Sequence, residues 1–277
     1  MLIGIVGPTA SGKSSIGEYL IKNKNVSIIN ADSRQLMTGL SYLKAVPEDL
    51  AEHYLYQCCD TLISVISWVD LVKNALNLIE AKNRLPVLIG GTGFYFKVLQ
   101  DGLVLLPKYD RLIDHYSFDE VKALLLQKDP LVLFKFQDEF RLRRALFVLL
   151  NTGKSILTYF ASSRTKFIAQ RLKLIALMPE KNILWDNISF RIERDFANMV
   201  DEVRLFDEER SDVIGVKEIK MFLLGQINEQ TCKELIFLKT RQYAKRQKTY
   251  IRNCLKIERH FKDVQEIKQY LDINIQS

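Results

Sequence analysis

The chain has 277 residues, of which 26% are charged and 48% hydrophobic, and a formal net charge of +7. That length can hold a full α/β core plus one smaller unit. No apolar run is long enough to span a bilayer, and the first residues read as a core strand rather than a signal peptide, so a cytoplasmic protein with no membrane partner is expected.

The four cysteines (Cys58, Cys59, Cys232, Cys254) lack C-x-x-C spacing, and His53, His115 and His260 are scattered. Neither a zinc site nor a disulfide framework is indicated. The positive balance permits a nucleic acid partner without requiring one.

In chain order, the apolar run Met1–Val6 leads into Gly7-Pro8-Thr9-Ala10-Ser11-Gly12-Lys13-Ser14, and helix-like spacing of Ile16, Leu20 and Ile21 follows. This is the phosphate-loop pattern G-x-x-x-x-G-K-[ST] between a strand and a helix. Its backbone N–H groups and helix N-terminus suit an anion, Lys13 adds a point charge, and the Ser14 hydroxyl can hold Mg²⁺. A polyphosphate is expected here; the motif does not establish ATP.

A second buried strand, Val26–Ala31, ends at Asp32-Ser33-Arg34-Gln35. In an open parallel sheet the carboxyl ends of strands face the ligand crevice, so Asp32 is expected beside the loop as a proton acceptor. A helix cap is the plainer job for such a residue. Residues 36–60 read as irregular, and helical spacing resumes over Trp68–Ile79. Pro86–Ile89 then forms a strand running into Gly90-Gly91-Thr92-Gly93-Phe94-Tyr95, where glycines allow close backbone approach to a ligand.

From Pro107 the alternation of strand and helix stops. Residues 108–165 read as an inserted helical unit, with Phe118–Gln127 and Phe136–Asn151 its clearest helices and Arg141, Arg143 and Arg144 a basic cluster. Leu172–Met178 returns as a strand. A long helix with Arg191 and Arg194 follows, then a turn at Ile214–Glu218. Near the end, Arg241, Lys245, Lys248 and Arg252 fall at i, i+4, i+7 and i+11, one cationic stripe on a helix that suits a polyanion, with a solvated face as the alternative. The tail beyond Lys262 carries no readable signal.

The set Gly7–Ser14, Asp32–Gln35, Gly90–Tyr95, Arg143–Leu146 with Thr152–Lys154, Ile214–Glu218 and Thr240–Gln247 resembles, in order, the motifs of the bacterial tRNA dimethylallyltransferases. The resemblance implies an α/β fold: a P-loop NTPase-like parallel sheet core (1–107 and 166–277) with a small all-helical insertion domain. It implies transfer of a dimethylallyl group from dimethylallyl diphosphate to N6 of the adenosine at tRNA position 37, with Mg²⁺, by a monomer. Under it, Gly7, Pro8, Thr9, Ala10, Ser11, Gly12, Lys13 and Ser14 would hold the diphosphate, helped by Arg191 or Arg194. Asp32 would be the general base, with Thr9 also at the reacting centre. Asp32, Ser33, Arg34, Gln35, Thr92, Phe140, Arg141, Leu142, Arg143 and Arg144, with the stripe at Arg241, Lys245, Lys248 and Arg252, would meet tRNA.

The sequence departs from the family pattern at Met37, at Lys44, at Asp212 and at Val216. Three other readings share parts of the pattern. A P-loop small-molecule or nucleoside kinase gives no account of the stripe. A transferase acting on free adenine nucleotides needs no RNA surface, and an RNA-binding protein with a relic loop has no need of Lys13, Ser14 and Asp32 together.

Overall fold

The computed structural model describes residues 2–109, 113–162, 164–168, 171–206 and 213–275. The apolar runs that open the chain become β1 (Leu2–Val6), α1 (Lys13–Asn23) and β2 (Val26–Asn30). One helical turn, α2 (Ser41–Lys44), and a two-residue strand, β3 (His53–Tyr54), occupy the stretch read as irregular. Then come α3 (Val65–Ala81), β4 (Leu85–Gly90) and α4 (Gly93–Asp101). Four helices follow: α5 (Phe118–Lys128), α6 (Leu131–Lys135), α7 (Glu139–Thr152) and α8 (Ile156–Phe160). The rest comprises β5 (Leu172–Leu177), α9 (Lys181–Leu205), α10 (Val216–Leu223), α11 (Glu229–Cys254), β6 (Arg259–Phe261) and α12 (Val264–Asn274). The expected departure at Asp212 lies outside the described residues.

The six strands form one sheet in the order β3-β2-β4-β1-β5-β6. Every pairing is parallel. Parallel strands covered on both faces read as continuous apolar runs, as β1, β2 and the ends of β4 and β5 do. Ile3 and Ile5 of β1 pack with Ile16 and Leu20 of α1 and with Ile267 and Leu271 of α12. Gly4, between them, turns to the opposite face, where a Cβ would lie 3.1 Å from Phe96 of α4. The chain therefore leaves the adjacent strands β1 and β4 toward opposite faces of the sheet, which opens a crevice between their carboxyl ends. The tail beyond Lys262, which carries no readable signal in the sequence, supplies α12, directly after β6.

Residues 1–100 and 168–277 form one compact unit and 101–167 the other, so the helical unit begins and ends slightly outside the expected 108–165. A second apolar cluster of the larger unit joins α9, α10 and α11 to Met37, Leu40 and Leu43. Met37 and Val216, two of the departures, are both buried in it.

Within the helical unit, Val121, Leu125, Val132, Leu142, Leu146 and Phe147 form the centre of a separate core. Ser117 opens α5 with a capping box, and Asp138 caps α7. The expected RNA contact at Leu142 is corrected here: its side chain is 2% exposed, because in α7 it shares the inward stripe with Ala145 and Leu146. Arg143 donates to Glu139 and to the carbonyl of Tyr116, and Arg144 donates to the carbonyl of Pro107 and lies over the rings of Tyr109 and Phe147. Both guanidiniums tie the unit together. Phe140, 79% exposed, and Arg141 stand on the outer side of α7.

Leu142→Ala is expected to destabilise the helical unit by ~2–5 kcal/mol through the cavity it leaves. Hydrogen exchange of α5 and α7 amides checks this; protection unchanged from wild type would return Leu142 to the surface.

Candidate active site

The loop after β1 closes tightly on itself. Ser11 N–H donates to the Pro8 carbonyl at 3.3 Å, and Gly12 takes φ +96° at the start of α1, a conformation that suits glycine. A Cβ on Gly12 would also lie 2.7 Å from Val264 of α12, so this turn has room for no side chain. Ala10 too has positive φ, +61°, and its carbonyl accepts from Asn187 of α9 at 3.0 Å.

Lys13 folds back over the loop, its ammonium donating to the Pro8 carbonyl at 2.6 Å and to Ser11 Oγ at 3.3 Å. Burial lowers this ammonium to about 8, against the raising effect of Asp32 and with a further lowering from Arg191. Arg191 Nη1 points at Thr9 Oγ1, 3.4 Å away, while its Nε is buried without a partner among the described residues. Burial lowers its pKa as well, opposed by Asp195. Arg194, the other candidate, turns away from the loop and holds Asp195 with two bonds of 2.7 and 2.8 Å. Three residues of separation put the two arginines one turn apart, and the acid beside Arg194 draws it off. Arg191 is the one directed at the loop.

Across the crevice, the end of β2 is fixed by Asn30, whose side chain accepts from Asp32 N–H and donates to the Asp32 carbonyl. Asp32 Oδ1 accepts from Arg34 N–H at 3.0 Å. Its Oδ2 lies on the side of Gly91, where a Cβ would stand 2.9 Å from it. Burial and the Asp32 charge raise the phenols of Tyr56 and Tyr243 and push Tyr95 up to about 12, so the carboxylate sits among neutral rings. Thr92 Oγ1 accepts from Ser33 N–H at 2.9 Å and donates to Ser33 Oγ at 3.3 Å, joining the ends of β2 and β4.

Gln35 donates to the carbonyls of Lys44 and Ala45, closing the end of α2. Lys44 reaches back to the carbonyls of Met37 and Thr38. The departure at Lys44 thus fastens the segment after Asp32 by its own route.

The cationic stripe on α11 divides. Arg241, Lys245 and Arg252 are exposed, and Arg241 lies over Trp185. Lys248 is half-buried and donates to the Pro179 carbonyl at 2.8 Å; burial and the nearby Arg252 lower its pKa. Lys245 and Arg246 line an open hollow of about 500 Å³ with Tyr250 and Asn253. On the inner side of the same helix, Gln247 meets Thr9 and Gly91, a pairing that the sequence motifs do not single out. A signal for it does exist: Thr240, Ala244, Gln247 and Ile251 repeat the stripe's spacing one position earlier, as a buried row.

Comparison with known proteins gives the family of the chain. A family model described as IPP transferase matches residues 42–254. The tRNA dimethylallyltransferase of Zymomonas mobilis is 34% identical over 98% of this chain and 91% of its own length. That of Rickettsia typhi is 30% identical over 90% of this chain and 88% of its own. A solved tRNA delta(2)-isopentenylpyrophosphate transferase from Staphylococcus epidermidis shares the fold with a TM-score of 0.67 at 22% identity, covering 99% of this chain and 98% of that one. A eukaryotic dimethylallyltransferase acting on tRNA gives 0.76 at 20% identity, covering 93% and 73%. At these identities the two structures speak for the fold alone. Since the family model spans most of the sequence and the relatives align along 90–98% of it, this chain belongs to the IPP transferase family.

Proposed function

We propose that the chain transfers the dimethylallyl group of dimethylallyl diphosphate to N6 of the adenosine at position 37 of tRNA. The observation that carries the reading is the pair of desolvated cations, Lys13 and Arg191, directed at one phosphate loop with the Asp32 carboxylate across the crevice. A buried guanidinium nitrogen without a partner is costly unless an anion arrives to meet it. A diphosphate held by loop N–H groups, Lys13 and Arg191 is such an anion.

Mg²⁺ fits as a companion of the diphosphate. No group of three or more His, Cys, Asp or Glu side chains among the described residues could hold a metal, whereas Ser14 stands exposed at the start of α1. That donor set suits an ion bound chiefly through phosphate oxygens and water, with Ser14 as its protein ligand. When bound it would spread the charge of the leaving diphosphate.

In the reaction the bond from the allylic carbon to the diphosphate oxygen breaks, and a bond from that carbon to N6 forms. Lys13 and Arg191 stabilise the charge that grows on the departing oxygen, and Thr9 of the loop accepts from Arg191 and fixes the guanidinium's direction. Asp32 takes the proton that N6 releases. The adenine must leave its stack to reach Asp32, which costs a few kcal/mol and least in an already single-stranded loop. The exposed cations of α11 suit the phosphates of an anticodon stem-loop. The residues proposed for the chemistry lie in one unit of one chain, so a monomer suffices.

Incubation with dimethylallyl diphosphate, Mg²⁺ and unmodified tRNA, followed by nucleoside analysis, tests the reading directly; triphosphate consumption with no alkylated adenosine would refute it. Asp32→Asn is expected to lower kcat ~10²–10⁴-fold while tRNA affinity stays within twofold; a fully active Asn variant removes Asp32 as the base. Because the free Lys13 ammonium titrates at about 8, well below the usual lysine range, diphosphate gripped by its charged form should bind with proton uptake above that pH. Affinity then falls about tenfold per pH unit from about 8 upward, and titration calorimetry in two buffers measures both effects. A flat profile to pH 9.5 excludes a Lys13 that is neutral in the free protein and charged in the complex. Lys245→Ala with Arg252→Ala should reduce the salt slope of tRNA binding by about 1 for each of the two cations that meets a phosphate, and an unchanged slope returns these residues to solvent.

A further inference from the structure

Gln247 lies on the buried face of α11, 7% exposed, between the two strands whose ends form the crevice. Its Oε1 accepts from Thr9 N–H at 2.8 Å, and its Nε2 donates to the Gly91 carbonyl at 2.9 Å. Thr9 N–H can only donate and the Gly91 carbonyl can only accept, so the partners fix which way the amide points. One planar group therefore spans from the loop after β1 to the loop after β4.

The far end of this span coincides with the base. A Cβ on Gly91 would lie 2.3 Å from Gln247 Nε2 and 2.9 Å from Asp32 Oδ2, so the amide and the carboxylate approach the same α-carbon. The near end holds Thr9, whose hydroxyl faces Arg191. Sheet pairing joins β1 to β4 only as far as Val6 and Gly90, and both loops lie beyond it.

We propose that Gln247 is a positioning residue: its amide sets the separation between the loop that grips the leaving diphosphate and the shelf that carries Asp32. The inference rests on the transfer reaction proposed above. In that reaction the allylic carbon must face N6 as its bond to diphosphate breaks, and a displacement of about 1 Å can cost on the order of 10²-fold in rate. With the spacing lost, water reaches the allylic carbon in place of N6. The carbon–oxygen bond to diphosphate still breaks, water oxygen bonds to the carbon, its proton goes to solvent, and dimethylallyl alcohol forms.

The experiment measures transfer and alcohol formation side by side in wild type, Gln247→Met, Gln247→Glu and Ile251→Val. Gln247→Met keeps the size and removes both hydrogen bonds; Gln247→Glu keeps the acceptor toward Thr9 and loses the donor toward Gly91. Ile251→Val loosens the same buried face one turn along without touching the amide. Both Gln247 variants should lose transfer kcat on the order of 10–100-fold, keep the KM for tRNA within twofold, and raise alcohol per transfer at least tenfold. Ile251→Val should lower Tm and leave the alcohol ratio at the wild-type value. A Gln247 variant whose transfer and hydrolysis fall in step with its folded fraction reduces the residue to a packing role and overturns the inference, as does an Ile251→Val ratio that rises equally. If wild type transfers nothing, the functional reading falls and this inference with it, a result visible before any variant is compared.

Discussion

Positive charge held out of water at the carboxyl edge of a parallel sheet is what the rest of this architecture serves. Lys13 and Arg191 come from elements far apart in sequence, the first helix and the long α9, and both lose hydration where they meet the loop after β1. Bringing two desolvated cations together costs free energy unless an anion offsets it. The scaffold sustains that cost through apolar burial on both faces of the sheet, where β1 alone contributes five buried residues. The loop itself adds strain at Ala10, which Asn187 steadies from α9. Under the proposed transfer, such a site is preorganised for a diphosphate before any arrives, in the sense that little would remain to be moved on binding.

The carboxylate is handled differently. Asp32 receives its orientation from backbone and neutral groups: Asn30 below it, Arg34 N–H at one oxygen and a surround of phenols. Lys13 feels its charge from across the crevice while donating its own hydrogen bonds to Pro8 and Ser11. The same crevice thus keeps Lys13 and Arg191 against the phosphate loop and orients the carboxylate through the backbone.

Much of this was legible in the sequence, for local reasons. A phosphate loop is a backbone conformation written in consecutive residues, and Asp32 follows a strand whose carboxyl end must face the crevice in a parallel sheet. What was not legible depends on partners. β3 and β6, with two and three residues, are strands only because β2 and β5 present edges to them. Leu142 sits inside a motif block that suits RNA as a whole, yet helical periodicity turns it inward with Leu146. The choice between Arg191 and Arg194 turned on a neighbouring acid, Asp195, that no motif marks. Gln247 closes the last motif, but its partners, Thr9 and Gly91, lie on loops that no local pattern links to it.

The sheet order has a consequence for how the molecule is made. β1 is the first strand synthesised, and it sits fourth in the sheet, between β4 and β5. Its second partner begins roughly 170 residues later, which at ~5–20 residues per second leaves an all-apolar segment waiting on the order of ten seconds or more. The earliest strand of this sheet to be made is therefore among the last to be fully paired, and a nascent-chain chaperone would have its best opportunity there. The phosphate loop, written in full within fourteen residues, acquires its shape only when distant neighbours arrive.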